Sequence, residues 1–342
     1  MRTKIVLLGA AAMLALCTGT ARADGELHIY NWGDYTNPKL IEKFQKQFNV
    51  KVSLDDYDSN ETMLAKVRAG NSGYDIVVPS DYTVKIMIED GLLEKTEPNQ
   101  MPNFKNMDPR FIDVYWDSGR HYSVPWQFGM TAFAVNTDKF KGPIDSLGVL
   151  FNPPEELKGR INLLDDINSV MHGAERYLGI PRCTSDKAQL KQISDLLEKA
   201  KPYWRTFSYD TIQMMAAGDI DVTQTWNGAA YRMREKNPAV KFAYTKEIME
   251  GWMDNVSVLK GAKNLENAKL FQNFMMDPEN AALASDFARY DNGIAGSHKF
   301  LPPEFGNAPE INPPAGVTSE FVPPCPPEVV KVYNQIWTNL KK

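Results

Sequence analysis

The chain has 342 residues, 43% hydrophobic and 24% charged, which is the composition of an ordinary globular protein. That length exceeds what one core usually holds, so two domains are expected. The formal net charge of −5 argues against nucleic acid as a partner and mildly suits a cationic one.

Arg2 and Lys4 precede an apolar run from Ile5 to Leu16 that is too short to span a bilayer. With Ala21-Arg22-Ala23 behind it, residues 1–23 read as a signal peptide, and Asp24 starts the mature chain. Leu16 stands where a lipoprotein signal wants a small residue before Cys17, so a soluble periplasmic protein is expected. Loss of Arg2, Lys4 and Arg22 moves the net charge from −5 to −8. Cys183 and Cys325 then remain, both in Pro-rich loops of an oxidising compartment, where a disulfide is possible but spacing cannot establish it.

Leu27 to Trp32 reads as a strand, and Pro38 begins a helix with Leu40, Ile41, Phe44 and Phe48 on one face. Val50 to Leu54 is a second strand, Ser59 or Asn60 caps a helix to Ala69, and Tyr74 to Val78 is a third strand. This βαβαβ order implies a parallel sheet. After Gly129–Asn136 the grammar returns: strand at Arg160–Leu164, helices at Val170–Leu178 and Ala188–Ala200, strand at Ile220–Thr225. Val256–Leu259 is a further strand, Asn264–Phe287 is a helix split at Asp277-Pro278, and Val329–Leu340 closes the chain as a helix. Two α/β lobes are expected: residues 24–132 with 256–300, and residues 133–255 with 301–342.

Four clusters of aromatics with acids or hydroxyls sit at predicted strand ends: Trp32-Gly33-Asp34-Tyr35, Ser80-Asp81-Tyr82, Asp165-Asp166 and Trp226-Asn227. A fifth, Trp252-Met253-Asp254, opens a strand leading back to the first lobe. Ligands of open α/β sheets bind outside the carboxyl ends of the strands, so these clusters converge on one interlobe cleft. Rings stack on a methylene chain and carboxylates pair with ammonium groups, which suits a small organic cation. Singly, such a Trp is more often core packing and such an Asp a helix cap; Trp116, Trp126, Trp204 and Trp337 are read as core.

Other chemistries fail on spacing. Asp56-x-Asp58-x-Asn60 starts like a calcium loop but meets Glu61 and Val67 where glycine and glutamate are required. His28, His121, His172 and His298 are scattered, and no phosphate loop or nucleophile elbow occurs, so no metal, cofactor or catalytic group is expected.

The segments Tyr30–Tyr35, Asp58–Met63, Tyr74–Ser80, Trp226-Asn227-Gly228 and Trp252-Met253-Asp254 resemble, in order, the spermidine/putrescine-binding periplasmic proteins. The resemblance implies the two-lobed α/β periplasmic binding protein fold (type II), closing like a hinge. It further implies a non-enzymatic monomer that serves a membrane permease of an ABC importer. It implies an aromatic box of Trp32, Tyr35, Tyr82, Trp226, Trp252 and Tyr290, with Asp34, Asp166 and Asp254 as ammonium partners and Ser80 and Gly33 as hydrogen-bonding groups. Crossings are implied near Thr131–Val135, Asn255–Val256 and Gly296–Leu301. Two positions depart from the pattern: Ser169, a cleft position where an acid is common, and Ala229, where putrescine binders carry one. These departures admit a zwitterionic amine, such as γ-aminobutyrate or an opine-like compound, with Arg205 read either as its carboxylate partner or as a surface arginine tying two loops. An exported α/β enzyme acting on small amines and a purely structural or adhesive protein are the competing classes.

Overall fold

The computed structural model describes residues 25–342, so the leader expected over residues 1–23 lies outside the described residues. Strand β1 (Gly25–Trp32) pairs in parallel with β2 (Val50–Tyr57) and β3 (Ile76–Val77). Helices α1 (Pro38–Phe48) and α2 (Asn60–Arg68) are the crossovers. Asn37 caps α1 by accepting from the Lys39 N–H, and Pro38 occupies a first-turn position whose missing donor costs nothing. Ser59, one of the two caps expected, accepts from the Thr62 N–H and starts α2. The third strand is shorter than Tyr74–Val78, because Tyr74 leaves the ladder to stack on Tyr30 at 4.4 Å.

The chain then passes α3 (Asp81–Glu89) and enters the long strand β4 (Ser123–Asn136). The second half holds α4 (Gly148–Phe151), β5 (Ile161–Leu163), α5 (Ile167–Leu178), α6 (Lys187–Ala200) and β6 (Trp204–Phe207). It continues with α7 (Thr211–Ala217), β7 (Val222–Trp226), α8 (Asn227–Lys236) and β8 (Val240–Ala243). Strand β9 (Met249–Val258) returns, followed by α9 (Leu265–Met275), α10 (Pro278–Ala288), α11 (Pro303–Gly306), β10 (Ser319–Phe321) and α12 (Pro327–Leu340).

The strand order is β2-β1-β3-β9-β4-β7-β5-β6, with β8 on β4 and β10 on β9. Strand β4 runs antiparallel to β9 from Ser123 to Thr131, and antiparallel to β7 from Thr131 to Val135. Strand β4 thus pairs with strands of both halves, and through it the ladder continues from one half to the other. The strand expected at Val256–Leu259 therefore begins at Met249, and Trp252-Met253-Asp254 lies inside it instead of opening it. A register shift between Pro125 and Gln127 puts an extra residue, Trp126, opposite the Asn255–Asp254 step, and a bulge is where a proline without an N–H is tolerated.

Apolar residues sort into separate clusters on the two sides. Leu27, Phe44, Ile76, Trp126 and Phe271 build one core, with a satellite around Tyr30, Met63 and Trp116 on the other face of its sheet. Phe133, Phe151, Ile161, Ile193 and Trp204 build the second. Trp116, Trp126 and Trp204 are buried core, as expected, and Trp337 packs partly buried on the second core. The disulfide joins Cys183, in the loop after α5, to Cys325, in the loop before α12, at a Cα separation of 5.4 Å.

Candidate ligand-binding cleft

Loops that follow parallel strands deliver the lining. At the end of β1 the Gly33 N–H bonds the Tyr57 carbonyl at 3.2 Å, and Asp34 takes a left-handed turn (φ 54°) that a short polar residue tolerates. Trp32 donates its indole N–H to the Val78 carbonyl at 2.9 Å, which fixes the ring against Tyr57. Ser80 begins α3 and donates to Asp254 Oδ1 at 2.7 Å, while Tyr35 donates to Asp254 Oδ2 at 2.9 Å. Asn60 orders this side by donating to Ser80 Oγ at 3.1 Å and to Tyr82 Oη at 3.0 Å.

From the opposite half, Asp166 caps α5, accepting from the Ser169 N–H at 2.6 Å. It is both helix cap and cleft carboxylate, so the two readings of an isolated Asp are not exclusive. Trp226 lies flat against Tyr209, with ring centres 6.0 Å apart and 9° between planes. Tyr290 meets Trp252 edge-on at 5.1 Å and Tyr35 edge-on at 5.8 Å, and its hydroxyl accepts from the Ala229 N–H at 3.1 Å. Gly228 permits that approach, because a β-carbon there would stand 2.5 Å from the Tyr290 ring and 2.6 Å from the Arg289 carbonyl oxygen.

The result is a cavity of about 380 Å³ lined by residues of both halves. All twelve expected positions face it: Trp32, Gly33, Asp34, Tyr35, Ser80, Tyr82, Asp166, Ser169, Trp226, Trp252, Asp254 and Tyr290. The indole N–H of Trp252 is buried there without a protein acceptor. Arg205 is not part of the lining; it is about half exposed and faces Asp219 at 3.5 Å. The basic side chain that does line the cavity is Arg232 of α8, bound to Asp34.

The acids differ in their condition. Burial pushes the Asp254 carboxyl up to about 7 although two hydroxyls donate to it. Asp81, behind it, is also pushed to about 7 by burial, against the bond donated by Tyr115. Desolvation at the cleft rim and the facing Asp166 raise Glu61 to about 7. Burial raises Asp166 too, against the Ser169 N–H that lowers it. Glu250 goes the other way: against its own burial, His172 and Arg176 hold it below the usual range.

Sequence reading missed Tyr57, Asn60, Tyr209, Arg232 and Glu250 as lining residues. Tyr209 follows β6, a four-residue edge strand with no clear alternation, and Glu250 stands where no strand was expected. It also missed that His172 reaches Cys325, Nε2 to Sγ 3.7 Å, so the histidine and both cysteines gather at one place, with both sulfurs committed to the disulfide.

Residues 39–312 match the family described as bacterial extracellular solute-binding protein. The chain belongs to that family. This solute-binding protein is similar to the spermidine/putrescine-binding periplasmic protein of Escherichia coli, 33% identical over 90% of this chain and 89% of the relative. It is also similar to the putrescine-binding periplasmic protein SpuD of Pseudomonas aeruginosa, 32% identical over 92% and 91%. Among solved structures, a putative spermidine/putrescine ABC transporter from Listeria monocytogenes superposes with a TM-score of 0.86, at 33% identity, covering 92% of this chain and 98% of that one. The fold is thus the two-lobed periplasmic binding protein fold that the sequence implied, and the protein is a substrate-binding component. No described helix is long and apolar enough to cross a membrane.

Proposed function

We propose that this solute-binding protein captures a polyamine between its lobes in the periplasm and presents the closed form, as a monomer, to the permease of an ABC importer. It performs no chemistry on the ligand. The observation that carries the reading is Asp254, a buried carboxylate that meets only the hydroxyls of Ser80 and Tyr35, beside the rings of Trp252 and Tyr290. An ammonium group there gains a charge-assisted hydrogen bond of about 1.5–3 kcal/mol and a cation–π contact on the order of 2 kcal/mol. The names of the similar proteins support the same ligand class.

A zwitterionic ligand is not favoured. Its carboxylate would need a cation, and Arg232, the basic residue lining the cavity among the described residues, is already bound to Asp34. The lobes are proposed to divide as residues 24–132 with 256–300 and 133–255 with 301–342, and closure draws on the ligand's preference for the closed form.

Calorimetric titration of ligand-stripped protein tests this. Putrescine or spermidine is expected to bind and to be recovered unchanged. Tight γ-aminobutyrate binding with no polyamine response, or turnover of the amine, overturns the proposal.

A further inference from the structure

The carboxylates around the cavity can be sorted by whether the protein itself supplies their counter-charge. Glu250 meets Arg176 at 3.3 Å and His172 at 3.6 Å. Asp34 is matched by Arg232, whose Nη2 contacts its Oδ2 and whose Nη1 donates to its main-chain oxygen at 3.4 Å. Asp58 and Asp210 also line the cavity but are exposed to solvent, which leaves two centres, each built on a more enclosed carboxylate, with no ion pair to any described lysine, arginine or histidine. The first is Asp254 with Asp81 behind it, and the second is Asp166 with Glu61.

At the first centre the neighbours Ser80 and Asp81 bond the neighbours Asp254 and Met253, which brings two carboxyls together, and one cation is expected to serve each centre. At the first, Asp254 is held by Ser80 and Tyr35, and Asp81 accepts from Tyr115 at 2.7 Å and from the Met253 N–H at 3.3 Å. At the second, Glu61 comes from α2 in one lobe and Asp166 from the start of α5 in the other. The hydroxyl of Tyr82 lies 3.5 Å from Glu61, and the stacked pair Tyr209–Trp226 lines the cavity together with Asp166. A cation here draws the lobes together by meeting acids from both.

Asp34 would be a third centre. The guanidinium of Arg232 fills it, reaching across from α8 with its carbon lying 6.0 Å from the centre of the Phe287 ring. Arg232 lies within α8 and lines the cavity. We infer that the cleft is built for a ligand with two cationic groups, and that Arg232 is the specificity-determining residue that sets this count by occupying Asp34.

The inference rests on the polyamine reading, and the test separates the two. Putrescine and spermidine are titrated into the wild type, Arg232→Gln, Asp34→Asn and the double variant, with thermal melts to confirm folding. The wild type is expected to favour putrescine. Arg232→Gln releases Asp34 for a third ammonium group and shifts the affinity ratio toward spermidine by about tenfold, a shift that Asp34→Asn in the same chain removes. Should Arg232→Gln not fold, Arg232→Met removes the charge while keeping an aliphatic stem over Phe287.

A wild type that binds neither amine defeats the polyamine reading. With that reading intact, three results overturn the charge count: a wild type preferring spermidine, a variant that weakens both amines equally, or a ratio shift that persists without Asp34. Equal weakening would assign Arg232 to holding the lobes closed instead.

Discussion

Tyr35 and Asp254, 219 positions apart in the chain, share a hydrogen bond of 2.9 Å inside the cleft, and only neutral hydroxyls hold that carboxylate. Burial lifts the acid to about 7, well above its ordinary value. A carboxyl whose folded pKa is raised favours folding while protonated, and that contribution is lost as pH climbs through the folded value. The empty protein is therefore expected to melt lower at pH 8 than at pH 6 on this account. Asp254→Asn keeps the hydrogen-bonding shape without the charge. It should raise the apo melting temperature at pH 8 by a few degrees, about 2–4 °C per kcal/mol relieved, while abolishing the ligand-induced shift. An Asp254→Asn protein whose apo melting temperature falls between pH 6 and pH 8 as far as that of the wild type would contradict the burial argument.

Ligand affinity should depend on pH in the opposite sense to apo stability. Asp254 and, at the rim, Glu61 both stand near 7, and a bound cation favours their charged forms. Binding at pH 6 must release protons, and affinity falls below pH 7 by up to about tenfold per pH unit for each linked group. Titrations in buffers of different ionisation enthalpy measure the protons released. Affinity independent of pH between 5.5 and 8, with no proton release, would reject the coupling.

Gly228 offers a steric test. Alanine there drives a methyl into the Tyr290 ring and the Arg289 carbonyl, and the backbone side of that contact cannot rotate away. Gly228→Ala should cost about 1–3 kcal/mol and weaken ligand binding, because Tyr290 then loses its bond from the Ala229 N–H. Denaturant unfolding with and without ligand reads both effects.

The disulfide gives a fourth expectation. It joins residues 142 apart and ties the loop before α12 to the loop after α5. Replacing Cys183 and Cys325 with serine should lower stability by about 2–4 kcal/mol, with little effect on ligand stoichiometry since neither lines the cavity. Chemical denaturation of the oxidised and double-serine proteins provides the comparison.

The legible part of the site was local. Trp32, Ser80, Asp166 and Trp226 announce themselves because a residue just past a parallel strand is carried to the cleft whatever the rest of the chain does. Arg232 and Glu250 are carried there by distant pairing. Arg232 lies on α8, whose buried residues, five in a row from Asn227 to Tyr231 and then Met233, lack the apolar periodicity that marks a helix in sequence. Glu250 lies on the early part of β9, which is a strand because Thr131 and its neighbours pair with it on one side and Glu320 on the other. The departure at Ser169 looked like a missing charge. The facing Glu61, set aside as a failed calcium loop, stands at the same end of the cleft.

Strands β4 and β9 pass between the halves as a hydrogen-bonded ribbon, not as slack tethers. Moving one half against the other must twist that ribbon, at a cost that is the same for every cargo. On the proposed function, a guest that meets only one of the two unmatched acidic centres sets half the attraction against that same cost, so singly charged amines are expected to be held less well.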